Sequence, residues 1–89
     1  MSFHLEGHME LPEDRRDAVL EALPEHVRLT RAEPGCESFE VSPGADRLDV
    51  RESFRDEAAF RLHQARISGT DWEAVTRGLG RDYRTWADP

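Results

Sequence analysis

Lysine is missing altogether: all 12 basic residues are arginine, against 19 acidic ones, for a formal net charge of −7. An acidic chain with no basic run is a poor partner for nucleic acid or for an anionic membrane surface. Cysteine is almost as scarce, and the single Cys36 has no internal partner, which excludes a small secreted scaffold stapled by disulfides. No apolar run approaches the length of a membrane span. Residues 1–11 place His4, Glu6, His8 and Glu10 among their apolar neighbours, unlike the core of a signal peptide. A cytoplasmic protein is therefore expected. Internal repeats, linkers and low-complexity segments are also absent, and no nucleotide-binding fingerprint occurs, since Pro43-Gly44 is turn chemistry without a phosphate loop around it.

What remains is a chain of 89 residues, 37 % hydrophobic and 35 % charged, with its apolar residues in patterned clusters that argue against disorder. This length predicts a single domain over residues 1–89. At this size only about 60–65 % of the unfolded chain's surface can be buried, so a second copy of the chain would help, and a homo-oligomer is expected.

Phe3, Leu5, Met9 and Leu11 alternate with His4, Glu6, His8 and Glu10, the period of a strand with one buried face, and Gly7 falls on the apolar side. Pro12-Glu13-Asp14 opens a helix with a fixed φ and two acids at the positive end of its dipole. Val19, Leu20, Leu23 and Val27 mark one helical face, but Pro24 predicts a kink or break near residues 20–23. Glu33-Pro34-Gly35 ends this helix. A hairpin follows, with Phe39 and Val41 facing Leu48, Val50 and Phe54 across a turn at Pro43-Gly44-Ala45-Asp46. Pairing Val41 with Leu48 and Phe39 with Val50 keeps one face apolar and sets Glu52 opposite Glu37. Asp56 caps a second helix with Ala59, Phe60, His63 and Ile67 turned inward. After Ser68-Gly69, Thr70 and Glu73 have capping-box spacing before a short helix carrying Trp72, Val75 and Leu79. Residues 81–87 read as a last strand with Tyr83 and Trp86 on opposite faces.

The order is a split βαββαβ plan: a ferredoxin-like α+β sandwich with helices on one face of an antiparallel sheet. The other face would carry His4, Glu6, His8, Ser38, Glu40, Asp49, Arg51 and Ser53, polar without being uniformly charged, as a wet interface between two sheets could be.

Thr30-Arg31-Ala32-Glu33-Pro34-Gly35-Cys36, followed by Phe39-Glu40-Val41, resembles the helix-to-strand junction of the antibiotic biosynthesis monooxygenase family. The passage Glu52-Ser53-Phe54-Arg55-Asp56-Glu57-Ala58-Ala59-Phe60, then His63, is similar to that family's strand-to-helix passage. The resemblance implies a fold that pairs through its sheets into a dimeric α/β barrel, with a small pocket between sheet and helices. It also implies oxygenation of phenolic or quinol-like compounds without metal or flavin. Other members degrade haem, and no counterpart of their Asn, Trp and His set is found here. Phe54 stands where the family usually has Trp, and the hairpin turn is short.

Helix phase and family position both direct His63 into the sheet-facing cavity. It is either a general base, taking a phenolic proton so that the electron-rich phenolate can pass an electron to O2, or a core histidine satisfied by one hydrogen bond. Glu52 is either neutralised by an arginine or acts as proton acceptor or as the group orienting His63. Phe54, Phe60, Trp72 and Tyr83 are candidate ligand walls, with Trp86 a further aromatic; core packing is the competing use of each. No metal site is expected at His4, Glu6 and His8: the two histidines, four apart on a strand, stand about 13 Å from one another, too far to share an ion, and His4 with Glu6, at about 6.6 Å, has no third ligand nearby in sequence. They belong instead at a dimer seam with Glu40, Asp49 and Arg51. Cys36 is expected as a small buried hydrophobe, with no histidine close in sequence to activate it.

The expected function is thus a cofactor-independent monooxygenase using His63 and Glu52, with no metal or other cofactor. The alternative is a non-enzymatic protein that binds a small aromatic ligand on the same dimeric fold, and a third reading fills the pocket with the protein's own side chains.

Overall fold

The computed structural model describes residues 1–89. β1 (Phe3–Glu10) leads through Pro12 into α1 (Glu13–Arg31); β2 (Cys36–Pro43) and β3 (Arg47–Phe54) form a hairpin; α2 (Glu57–Ile67), α3 (Asp71–Thr76) and β4 (Arg81–Ala87) complete the chain. The sheet order is β2-β3-β1-β4 and every pairing is antiparallel. This is the ferredoxin-like α+β arrangement that the periodicities predict. No helix is long and apolar enough to cross a membrane.

Alternation sorts the sheet as expected. Leu5, Met9, Phe39, Leu48, Val50 and Phe54 are buried beneath the helices. Met9, Leu11 and Leu48 pack with Val19 and Leu23 of α1, with Trp72 of α3 and with Leu79. Leu79 joins this core from beyond the end of α3 rather than from within it. Gly7 occupies the inward-facing position where β1 meets β4. A Cβ there would stand 2.0 Å from the Asp82 carbonyl oxygen and 2.9 Å from Tyr83 Cδ1, so only glycine admits this approach.

Three local expectations are corrected. First, the chain does not break near residues 20–23: α1 is one helix that continues through Pro24. Val19 and Leu23 before it and His26 and Thr30 after it are all buried, and burial on both sides holds the helix together against the loss of one amide bond. Second, the hairpin register is Val41 opposite Val50, Phe39 opposite Glu52 and Pro43 opposite Leu48. The Gly44 amide donates to the Arg47 carbonyl at 2.8 Å, which moves the turn onto Ala45-Asp46. Arg16 pins it there by donating to the carbonyls of Gly44 (2.7 Å) and Ala45 (3.0 Å). The difference of two residues leaves each side chain on its expected face but changes its partner. Between Cys36 and Ser38 the register shifts, so Glu37 is the extra residue of a bulge and does not face Glu52. Third, the capping box at α3 is half formed: the Thr70 hydroxyl accepts from the Glu73 amide, but the Glu73 carboxylate accepts from Gly69 rather than from Thr70.

Candidate functional site

Between the helical layer and the β2-β3-β1-β4 face lies a cavity of about 350 Å³, bordered by residues from all four strands and all three helices. Its apolar walls include Leu5, Phe39, Val41, Val50, Ile67 and Trp72, and the exposed Gln64 and Arg77 mark its solvent end. His63 and Glu52 stand in its inner wall, 2 % and 6 % exposed.

His63 reaches this position because α2 is anchored at its start, where the Asp56 carboxylate accepts from the Ala59 amide at 2.8 Å, and Ala59 and His63 then face inward one turn apart. Gly35 makes room for that anchor, since a Cβ there would meet the Ala59 Cβ at 2.4 Å. The imidazole is surrounded by rings, with the centroids of Phe54, Phe39 and His26 at 5.0, 5.8 and 6.1 Å. Its Nδ1 lies 3.0 and 3.1 Å from the two carboxylate oxygens of Glu33. Glu33 is in turn held by the Arg66 guanidinium, which also donates to the Thr30 hydroxyl at 3.0 Å, and Thr30 donates to the His26 carbonyl at 2.8 Å. A carboxylate against Nδ1 keeps the proton on that nitrogen and leaves the Nε2 lone pair free. Burial pushes the His63 pKa down, partly opposed by its hydrogen bond to Glu33, so the ring is neutral at neutral pH.

Nε2 faces Glu52 Oε1 at 3.9 Å, beyond hydrogen-bonding distance. Glu52 sits in β3 between Leu5 and Phe39, and its Oε1 is buried without a hydrogen-bond partner. No arginine reaches it. Burial, reinforced by the nearby charge of Glu33, raises its pKa to about 7, so a proton is available on Glu52 under near-neutral conditions.

Of the aromatic residues singled out in the sequence, Trp72 and Tyr83 border the cavity with His63 and Glu52. Phe54 and Phe60 do not. Phe54 is fully buried behind the His63 ring, and Phe60 packs on Phe54 at 5.8 Å and on Phe3 at 5.0 Å, so these two support the imidazole instead of meeting a ligand. Burial raises the Tyr83 hydroxyl to about 12, keeping it a neutral phenol. Cys36 is half-buried, and burial together with the charge of Glu33 pushes its thiol up, which suits a packing role over a nucleophilic one. His4 lies on the opposite sheet face, its ring nitrogens 2.7 Å from Ser53 Oγ and 2.8 Å from Asp88 Oδ1, with Trp86 at 5.1 Å.

Three members of the site were not foreseen. Glu33 and Arg66 come from a turn and a helix 33 residues apart, so only the tertiary fold pairs them. His26 stacks on Trp72 at 4.4 Å with an interplanar angle of 6°, and burial lowers its pKa to about 3. Its signal was present in the sequence, since it follows Leu23 by three positions on the inward face of α1.

Solved structures of similar fold include Rv0793 from Mycobacterium tuberculosis, with 18 % identity, a TM-score of 0.77, and coverage of 100 % of this chain and 96 % of that one. MupZ from Pseudomonas fluorescens is 21 % identical, with a TM-score of 0.80 over 94 % of this chain and 66 % of its own. PA3566 from Pseudomonas aeruginosa is 20 % identical, with a TM-score of 0.77 over 99 % and 94 %. At these identities the likeness establishes the fold. No functionally curated protein matches the chain. Family assignment comes from the sequence match, which runs over residues 2–74 and so takes in β1 through most of α3, with Glu33, Glu52 and His63 inside it. The chain belongs to the antibiotic biosynthesis monooxygenase family.

Proposed function

We propose that the protein is a cytoplasmic, homodimeric, cofactor-independent monooxygenase acting on a small phenolic or quinol-like substrate. The observation that carries this reading is the presentation of an unprotonated His63 Nε2 inside an aromatic-walled cavity, with Nδ1 fixed by Glu33. Such a nitrogen removes the proton of a bound phenolic hydroxyl. The resulting phenolate passes an electron to O2, and recombination forms the new C–O bond. For a hydroquinone the balance is one O2 consumed, one oxygen retained in a hydroxyquinone and the other released as water, with all four electrons drawn from the substrate. No external reductant enters. Trp72 and Tyr83 bound the space for a flat ring.

Oxygen uptake with a panel of hydroquinones under ¹⁸O2 tests this. One O2 should be consumed per product and one labelled atom retained. Tight binding of the same compounds without oxygen uptake would overturn the enzymatic reading in favour of a ligand-binding protein.

The homodimer rests on the face of the sheet away from the helices. Glu6 there lies 3.6 Å from both Arg51 and Arg84, Arg84 stands over the Trp86 ring at 5.0 Å, and Ser38 is exposed beside them on β2. No element of the chain covers this face, and a second copy would. Sedimentation should find a dimer that Ser38→Trp weakens and Arg61→Ala, on the exposed side of α2, does not. A monomer of 10.2 kDa at micromolar concentration would count against the pairing.

A further inference from the structure

We propose that one hydroxyl oxygen of the ligand bridges Glu52 and His63, with Glu52 as the hydrogen-bond donor that holds the ligand as its anion. The proposal rests on the reading of His63 as the base of the cavity and goes further by assigning Glu52 as the second group that contacts the reacting oxygen.

Glu52 Oε1 is buried and has no partner within the chain. The 3.9 Å that separates it from His63 Nε2 is too long for a direct bond. An oxygen about 2.8 Å from each would see the two at roughly 90°, close to the angle at which a hydroxyl donates one bond and accepts another. The two positions are chemically unlike. With Glu33 on Nδ1, Nε2 can only accept, while the neutral Glu52 carboxyl can donate. A hydroxyl oxygen satisfies both at once. Ether and carbonyl oxygens accept only and leave Nε2 unpaired, and an ammonium group donates only.

The surrounding groups keep this polarity in place. From α1, His26 has its pKa lowered to about 3 by burial and is neutral; from β4, Tyr83 is raised to about 12 and is neutral; from β2, the Cys36 thiol is pushed up. Behind the imidazole, Glu33 is matched by Arg66. When the ligand O–H bond breaks, the proton forms an N–H bond at Nε2, and no electron moves. The anion that results keeps the hydrogen bond from Glu52 and gains the imidazolium, whose charge Glu33 also faces. Glu52 is thus the oxyanion donor and His63 the base.

The test uses 4-nitrophenol, whose ionised form has its own absorption band, with 4-nitroanisole as the analogue that has no proton to give. Bound to the wild-type protein, 4-nitrophenol should ionise at least one pH unit below its midpoint in free solution, that is, with about a tenfold larger ionisation constant. The anisole should bind more weakly by about tenfold. Glu52→Leu should abolish the shift and Glu52→Gln, which keeps an N–H donor, should retain most of it. Where Glu52→Leu perturbs the fold, the Gln variant still decides the matter. Wild-type affinity for the phenolate should fall above pH 7 as Glu52 loses its proton, and the Gln variant should not show that fall. Equal binding of phenol and anisole, an unchanged midpoint in Glu52→Leu, or no binding of 4-nitrophenol would each overturn the proposal. None of these readouts consumes oxygen. A ligand that ionises in the site while hydroquinones draw no O2 would defeat the monooxygenase reading and leave the bridge standing, and oxygen uptake with an unshifted phenol would do the reverse.

Discussion

His63→Ala should lower hydroquinone turnover by about 10²- to 10⁴-fold, the usual contribution of a positioned general base. The same change should cost about 1–3 kcal/mol of stability, because it opens a small void against Phe54 and Phe39 and removes the acceptor's partner at Glu33. Glu33 keeps Arg66 after the substitution, so the loss stays at the lower end of what a stranded buried charge would impose. Measuring melting temperature and turnover on one preparation separates two roles. A satisfied core histidine predicts lost stability with turnover intact per folded molecule, and that result would refute the base. Added imidazole provides a second readout, since a small base entering the vacated space should restore part of the rate in His63→Ala and should do nothing for a protein that has merely been loosened.

That His63 could be singled out from the chain alone follows from helix phase. It is one turn after Ala59 and one before Ile67, and such spacing survives whatever the strands do. The inward face of each strand was legible for a similar reason, because alternation fixes the parity of a strand. Parity is all that it fixes. The hairpin register depends on where the turn closes, and the turn is pinned by Arg16 of α1 and by the Leu11 amide, which donates to the Asp46 carbonyl at 2.8 Å. Neither contact leaves a mark in the local sequence. For this reason Glu52 faces Phe39 and not Glu37, and the expected neutralisation by arginine is absent. Orientation of His63 by Glu52 is one of the alternatives the sequence leaves open; the group on Nδ1 is Glu33, a residue whose visible role in the sequence is to end α1 ahead of Pro34. Residues that terminate elements are hard to recognise as site residues, since the backbone already accounts for them. Phe54 and Phe60 show the converse: an aromatic beside a cavity residue can support it from behind, and only the packed structure distinguishes back from front.

Replacing Glu52 by glutamine should stabilise the protein by an amount that grows with pH. The carboxyl titrates at its ordinary 4.5 in the unfolded chain and at about 7 in the folded one. Below pH 4.5 it is protonated in both states and contributes no pH dependence. As pH rises from there to about 7, the unfolded chain releases a proton that the folded chain retains, so wild-type stability falls. Above pH 7 the loss is constant, about 3 kcal/mol from the two values. His26 and His63 act in the opposite sense, because both have depressed pKa values: the unfolded chain takes up protons below pH 6.5 that these buried rings refuse, and stability falls as pH falls. The wild-type curve should therefore decline on both sides of a maximum in the mildly acidic range, with Glu52 responsible for the decline toward higher pH. Urea titrations from pH 5 to 9 should show Glu52→Gln exceeding the wild type by about 1 kcal/mol at pH 5 and by about 3 kcal/mol at pH 8, with its alkaline decline removed. A gap that stays constant across this range would mean that Glu52 is ionised in the folded protein throughout. The proton that it offers to a bound oxygen would then not exist, and its buried Oε1 would need a cation instead of a hydroxyl as its partner.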